Sequence, residues 1–278
     1  SGGGSIDINS VTTLTGSFSE HQAFYTARAG FTNRDKIATY SLNSAEALGD
    51  AAALKTLHDN VRTINTSATV DLTSITGITG DMDDLTNLLT LESNGTLTGL
   101  ATEAITVNDS ITVDEANTLN ATTTGVVTAT ISTSSTGGLS GLDGAEGGQG
   151  TPNAYTIVIT NTSADAGDLN TIDGLTSIAV NIAAVDTVTG SYSEINTFET
   201  NIANFSNVAN DTILQLDDGS GNNTTINLAT QDLETLIDNF RAHATAGKLN
   251  LSKVTSITGA VDKFTKAGGI DALNTAGT

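Results

Sequence analysis

Residues Val180–Gly190 read V-N-I-A-A-V-D-T-V-T-G, and this phrase decides the fold. Its form is apolar-x-apolar-x-x-apolar-x-x-apolar-Thr-Gly, which is too regular to arise by chance four times in one chain. The other three copies span Ile6–Gly16, Val70–Gly80 and Leu249–Gly259. The repeated structural positions that follow the opening of each copy are Val11, Leu14 and Gly16; Ile75, Ile78 and Gly80; Val185, Val188 and Gly190; and Val254, Ile257 and Gly259.

The spacing of the apolar residues predicts the path of the backbone. An opening of period two, as in Val180 and Ile182, is typical of a strand that buries one face. The change to a spacing of three predicts a bend, because the chain has to turn to keep Val185 and Val188 directed at the same core. We expect the final glycine to end the segment with a positive φ, which glycine adopts without a Cβ clash.

Helices are expected directly after the phrase and after a second kind of strand. Ser17–Glu20 and Ser191–Glu194 are S-x-x-E capping boxes, and Thr112–Glu115 is a third, so each predicts a helix start. Asp81 offers a similar cap. Apolar positions at helical spacing predict a stripe from Tyr192 to Phe205. The remaining predicted helices are Ser44–Leu57, Ser163–Asp173 and Thr230–His243.

Alternation of strand and helix predicts an α/β fold of parallel strands joined by crossovers. Because one unit cannot bury its apolar side alone, neighbouring units have to stack, which predicts an elongated, repetitive parallel β-α solenoid. Val11–Phe24 and Val185–Phe198 share eight of fourteen residues, so two paralogous halves are expected. The predicted organisation is a linker or cloning remnant at 1–5, a first repeat block at 6–136, a glycine-rich joint at 137–153 and a second repeat block at 154–278.

Composition excludes several classes of partner. The chain of 278 residues has 10 Lys plus Arg against 31 Asp plus Glu, a formal charge of −21, and no Cys. A chain this acidic repels phosphate backbones and anionic lipid headgroups, so neither nucleic acid nor a membrane surface is an expected partner. No apolar run is long enough for membrane insertion. The lack of Cys excludes disulfides, thiolate metal sites and thiol nucleophiles.

Catalytic motifs are not found, so we expect the protein not to be an enzyme. His21, His58 and His243 are far apart in sequence and form no zinc motif, and we interpret them as solvated helix residues. Neither a G-x-S-x-G elbow nor a phosphate-binding loop is present. The many carboxylates are interpreted as solvated turn residues.

Calcium is the one cofactor for which the sequence offers ligands. The loop Asp217–Asn223 (D-D-G-S-G-N-N) supplies carboxylate and amide oxygens on a glycine-bearing turn, with Asp217, Asp218, Asn222 and Asn223 as candidate ligands. Asp143–Glu146 is a looser candidate. The alternative is a plain hairpin turn between Ile213–Leu216 and Thr225–Leu228. Neither loop has the EF-hand spacing.

Two further segments carry a family resemblance. Ser163–Thr176 (SADAGDLNTIDGLT) and Thr187–Asn196 (TVTGSYSEIN) resemble the repeat units of giant cyanobacterial cell-surface and RTX-associated secreted proteins. The resemblance extends in style over most of residues 6–278, although the RTX nonapeptide itself is absent. It implies an extracellular or cell-surface location and a repetitive stalk or layer.

The expected function is that of a structural or adhesive module, an acidic spacer whose partners are neighbouring repeat units or like subunits. Exposed threonine rows suggest surface polysaccharide as a further partner. Two alternatives stay open. One is a phage fibre or a self-assembling surface-lattice subunit, and the other is a polysaccharide-binding or polysaccharide-cleaving protein on a β-scaffold.

Overall fold

The computed structural model describes residues 5–43, 49–144, 152–227 and 231–259, and shows a mixed α/β chain with parallel sheets. It divides into two compact units. Unit 1 comprises residues 1–130 and 145–154, and unit 2 comprises residues 131–144 and 155–278.

The helices of the described residues are short, and four belong to unit 1 and three to unit 2. They are α1 (Phe18–Ala27), α2 (Ala51–Ile64), α3 (Met82–Ser93), α4 (Val113–Asn120), α5 (Ala166–Asp173), α6 (Tyr192–Thr200) and α7 (Leu233–Arg241).

The strands are short as well, and most have two to five residues. Those of unit 1 are β1 (Ile6–Asp7), β2 (Thr13–Gly16), β3 (Phe31–Thr32), β4 (Thr39–Leu42), β5 (Gly49–Asp50), β6 (Thr69–Asp71), β7 (Gly77–Gly80), β8 (Leu97–Thr98) and β9 (Ala104–Ile111). Two more lie at the unit boundaries, β10 (Val127–Ile131) and β11 (Ala154–Thr156). Those of unit 2 are β12 (Ser163–Asp165), β13 (Val180–Asn181), β14 (Thr187–Gly190), β15 (Phe205–Ser206), β16 (Ile213–Leu216), β17 (Thr224–Asn227), β18 (Lys248–Asn250) and β19 (Val254–Thr258).

Strands pair in parallel with partners one strand–helix turn further along the chain. In unit 1 the sheet orders are β1-β3, β2-β4-β6-β8 and β5-β7-β9. In unit 2 they are β13-β15, β12-β14-β16-β18 and β17-β19. Because the two strands of one phrase belong to two neighbouring sheets, each phrase crosses from one sheet to the next.

The phrase makes the same turn in all four copies. Its second position is always Asp or Asn, and that side chain accepts a hydrogen bond from the backbone N–H two residues later at 2.9–3.0 Å, in Asp7, Asp71, Asn181 and Asn250. A backbone bond from the sixth to the third position closes the bend, as from Val185 N–H to the Ile182 carbonyl at 2.9 Å. This Asx turn is why the apolar spacing changes from two to three.

The middle two copies of the phrase are core at all four apolar positions, whereas at these positions of the outer two copies only Leu249 is buried. Val70, Leu72, Ile75 and Ile78 are buried, as are Val180, Ile182, Val185 and Val188. In the first copy Val11 and Leu14 are half-buried, and in the last copy Val254 is half-buried and Ile257 is exposed.

The closing glycines meet two different requirements. Gly190 and Gly259 have positive φ, as expected, and the value at Gly259 is 115°. Gly16 and Gly80 do not, so that expectation is wrong for them. At Gly80 the requirement is space, since a Cβ there would lie 2.7 Å from the Ala51 Cβ.

Several predicted helix boundaries are confirmed and others are wrong. The three capping boxes are formed, and α1, α4 and α6 begin one residue after Ser17, Thr112 and Ser191. The stripe predicted from Tyr192 to Phe205 is not one helix, because α6 ends at Thr200 and Phe205 starts a strand.

Helix α3 begins directly after Asp81 as predicted, but the Asp81 side chain makes no cap hydrogen bond. Three other helices, α2, α5 and α7, begin later than predicted, each directly after an Asp that caps it. Residues 44–48 of the helix predicted at 44–57 lie outside the described residues, and α2 begins after Asp50, whose side chain accepts from the Ala53 N–H. Ser163–Asp165 pair with β14 as a strand, so the helix expected at 163–173 begins at Ala166. In α7 the cap is Asp232.

Candidate functional site

The loop between β16 and β17 closes on itself through Asp218. Its carboxylate accepts the Ser220 N–H at 2.9 Å, the Asn222 N–H at 3.0 Å and the Asn222 side-chain amide at 3.3 Å. These hydrogen bonds favour the charged form and lower the pKa of the exposed Asp218 carboxyl. The turn is therefore held by its own side chains.

Asp217 has a different environment from Asp218. It is only 1% exposed, its N–H donates to the Gly190 carbonyl at 2.8 Å, and its Oδ1 accepts the Gly219 N–H at 2.7 Å. Its Oδ2 is buried and accepts no hydrogen bond in the described part of the chain. A buried carboxylate with a free oxygen costs free energy. This orphaned oxygen is the chemically unusual feature of the loop.

The four candidate calcium ligands differ in exposure. Asp217 lies in the interior, whereas Asp218, Asn222 and Asn223 are exposed. Within the described ranges, no group of three or more His, Asp or Glu side chains is placed to hold a metal ion. Of the looser candidate, Asp143 is exposed and Glu146 lies outside the described residues. Calcium binding at Asp217–Asn223 stays a prediction.

The alternative interpretation of this loop, a plain hairpin, is wrong. Strands β16 and β17 do not pair with each other and belong to different sheets, the first with β14 and β18 and the second with β19. The loop therefore connects two sheets.

Two carboxylates lie close together near the start of α5 and α6. A Cβ on Gly167 would lie 3.0 Å from Asp165 Oδ1 and 3.1 Å from Glu194 Oε1. Burial, together with the negative charge of Glu194, raises the pKa of the Asp165 carboxyl. Both groups act as helix caps, Asp165 on the Gly167 and Asp168 N–H groups and Glu194 on the Ser191 N–H. They stabilise helix starts.

Two of the three histidines are core residues, so their assignment as solvated is wrong. His58 is buried, with Nδ1 3.1 Å from an Asp59 carboxylate oxygen and Nε2 3.1 Å from the Thr96 hydroxyl. His21 is 2% exposed, and its Nε2 lies 3.1 Å from the Ser41 carbonyl, which requires Nε2 to be the donor. His243 is exposed and follows α7.

The surroundings of His21 disfavour its charged form. Its Nδ1 is buried and has no hydrogen-bond partner in the described residues, and burial lowers the pKa of the imidazole. The Tyr40 ring lies 5.8 Å away, centroid to centroid. Burial raises the pKa of the Tyr40 hydroxyl to about 12. One sequence signal could have indicated that His21 is buried. In the alignment of Val11–Phe24 with Val185–Phe198, His21 matches Ile195, which is a core residue.

Unit 2 also has a shallow cavity of about 340 Å³ after α5. Its polar lining includes Asp173 and Asn204, joined by a hydrogen bond of 3.1 Å from Asn204 Nδ2 to Asp173 Oδ2. Ile178, which is 43% exposed, forms part of its apolar wall.

Comparison with known proteins identifies no relative: no family model, no curated protein and no solved structure matches the chain. Among the described residues, no helix combines the length and apolar character that a membrane crossing requires.

Proposed function

We propose that this chain is a non-catalytic structural module of a secreted or cell-surface bacterial protein, built as an elongated solenoid with two paralogous halves. One observation carries the proposal: the strand pairing of the first half recurs 174 residues later. Ile6 pairs with Phe31 as Val180 pairs with Phe205, and Leu14 pairs with Tyr40 as Val188 pairs with Leu214.

Backbone details recur at the same offset. Asn33 and Asn207 both have left-handed backbones, with φ of 58° and 60°, directly after the corresponding strands β3 and β15. A non-glycine residue with positive φ is uncommon. Its occurrence at matched positions supports duplication of a whole block over independent formation of similar strands.

The described polar groups also suit a structural role. Carboxylates such as Asp50 and Glu194 cap helices, and Asp71 accepts the Thr73 N–H and the Ser41 hydroxyl of the neighbouring strand. Such contacts join a coil to itself and to the next coil. In a solenoid each coil is stabilised mainly by its neighbours.

Removal of one whole coil tests this proposal. When Val180–Asn204 is deleted, Phe205 moves to the chain position of Val180, its register partner in the parallel sheet. If the chain is a stack of coils, the remaining strands should then pair in the same register. We expect a folded protein with unchanged helix content per residue and cooperative unfolding. Deletion of only Tyr192–Ala203 removes half a coil and should unfold unit 2. If both deletions unfold unit 2 to the same extent, the solenoid proposal is wrong.

Contact with a polysaccharide surface is a second candidate, favoured by rows of hydroxyls. Thr13, Thr39 and Thr69 are register partners on three successive strands, where neighbouring strands are about 4.8 Å apart. Pull-down on insoluble polysaccharides compares the protein with a variant carrying Thr13→Val and Thr39→Val. Equal retention of both proteins would argue against binding through these rows.

A further inference from the structure

The first coil of unit 1 has an uncovered face. We define this coil as β1, β2 and α1, and its counterpart in unit 2 is β13, β14 and α6. Ile6 is 60% exposed, whereas its counterpart Val180 is fully buried. The same difference extends over the coil: Ile8, Val11, Leu14 and Phe24 are half-buried, whereas Ile182, Val185, Val188 and Phe198 are buried. We call Ile6, Ile8, Val11, Leu14 and Phe24 the open face.

The counterpart in unit 2 is covered by the coil that precedes it. Asn181 N–H donates to the Ile157 carbonyl at 2.9 Å, and the Ile159 N–H donates to the Asn181 carbonyl at 2.8 Å. The Thr187 N–H donates to the Thr162 carbonyl at 3.1 Å, and α5 packs on α6. A parallel strand–helix coil is therefore the shape that this kind of face accepts.

In unit 1 the described residues provide no such coil. Strand β1 is the outer strand of its sheet, and so is β2. An outer strand presents unpaired N–H and C=O groups that serve as a template for a further strand. Here that edge lies beside the apolar side chains of the open face, whose counterparts in unit 2 are core residues. A partner could therefore both extend the sheet and bury apolar surface.

We propose that the open face binds the last described coil of a second copy of this chain, β18 and β19, in a head-to-tail contact. The proposal rests on the proposed function, because it extends the same stacking between molecules. In the described residues β18 and β19 are outer strands at the opposite side of their sheets. They belong to the same phrase as β1 and β2, and Ile257 of β19 is 36% exposed.

Charge complementarity selects this partner. Residues 5–27 contain Asp7 and Glu20 and no Lys or Arg. Residues 248–258, which span β18 and β19, contain Lys248 and Lys253 and no Asp or Glu, in a chain of net charge −21. Two first coils repel each other, whereas a first coil and a last coil attract.

A head-to-tail contact joins two different surfaces of the same molecule. Such a contact leaves one free open face and one free last coil on every oligomer, so growth does not close unless the rotation forms a ring. The expected product is an open chain of copies whose length increases with protein concentration and decreases with salt.

The test blocks each surface separately with charged residues at the sheet edge, which disfavour strand addition. Ile6→Lys with Thr13→Lys blocks the open face, and Ile257→Glu, whose charge the acidic open face repels, blocks the last coil. Ile178→Lys and Ile178→Glu place the same changes on an exposed isoleucine elsewhere. Sedimentation velocity over a concentration series reports the oligomers, and circular dichroism verifies folding.

We expect the unmodified protein and both Ile178 variants to form oligomers without a fixed size. Each blocked variant alone should associate at least about tenfold more weakly, and an equimolar mixture of the two should form dimers and nothing larger. Unmodified protein that stays monomeric, or blocked variants that associate normally, would overturn the head-to-tail contact. Such a result leaves the solenoid proposal intact if the coil deletion folds, so the two failures are distinguishable.

Discussion

Replacement of His21 by isoleucine should make the unfolding free energy of unit 1 less sensitive to acid. The imidazole is buried, one ring nitrogen has no partner in the described residues, and burial lowers its pKa. Isoleucine is the residue that unit 2 uses at the matching position, Ile195, which is fully buried. His21→Ile therefore substitutes a side chain that the same kind of coil already accommodates.

The sign and size of the effect follow from linkage between protonation and folding. The unfolded chain binds a proton at His21 below a pH of about 6.5, and the folded chain resists it because its pKa is lower. The contribution of neutral His21 to the free energy of unfolding is thus complete above that pH. It is lost as the pH falls towards the pKa of His21 in the folded protein. The loss approaches about 1.4 kcal/mol per pH unit, moderated by the attraction of the neighbouring Glu20 charge.

Urea unfolding followed by circular dichroism at pH 8, 7, 6 and 5.5 measures this effect. The difference in unfolding free energy between His21→Ile and the unmodified protein should be constant from pH 8 to 7 and grow in favour of the variant below about 6.5. His243→Ala, at an exposed site, should follow the unmodified protein at every pH. If the His21→Ile difference does not change between pH 7 and 5.5, His21 is not held neutral by the fold.

Three further predictions involve five substitutions, and urea midpoints measure all of them. Gly99→Ala should cost more than about 2 kcal/mol, because φ is 101° and a Cβ would lie 2.6 Å from a backbone nitrogen; Gly95→Ala, with φ of 68° and open space, should cost about 1 kcal/mol. Phe198→Ala should cost about 3–5 kcal/mol and half-buried Phe24→Ala about 1–2 kcal/mol, and equal losses would contradict the difference in burial. The predicted calcium site requires that calcium raise the urea midpoint and that Asp217→Asn abolish this rise.

Local signals in the sequence predicted the fold well where local interactions decide it. The capping boxes at Ser17, Thr112 and Ser191 mark true helix starts, because the hydrogen bonds involved span only three residues. The apolar spacing predicts the bend but not its cause, which is the Asp or Asn that stands at the second position of every copy and forms the Asx turn.

Features that depend on distant pairing could not be predicted from local pattern. Ser163–Asp165 have helix-compatible composition, yet they form a strand because β14 provides hydrogen-bond partners. The composition of the loop at Asp217–Asn223 predicts calcium ligands or a hairpin, but it does not predict that Asp217 is interior while Asp218 closes the turn. Burial depends on the parallel partner strand, and that strand lies some 25 residues away in sequence, as Phe205 does from Val180.

The central claim, that parallel coils stack with a shared register in both units, is tested most directly by disulfide cross-linking, since the chain has no cysteine of its own. Register partners should bridge, so cysteines at Thr15 and Ser41, or at Thr189 and Gln215, should oxidise to an intramolecular disulfide in the folded protein. Pairs offset by two residues, Thr15 with Thr39 and Thr189 with Ile213, have Cα atoms about 8 Å apart and should stay reduced. Mass spectrometry of the oxidised variants distinguishes the two outcomes. Equal cross-linking of matched and offset pairs, in either unit, would contradict the stacked register on which the account depends.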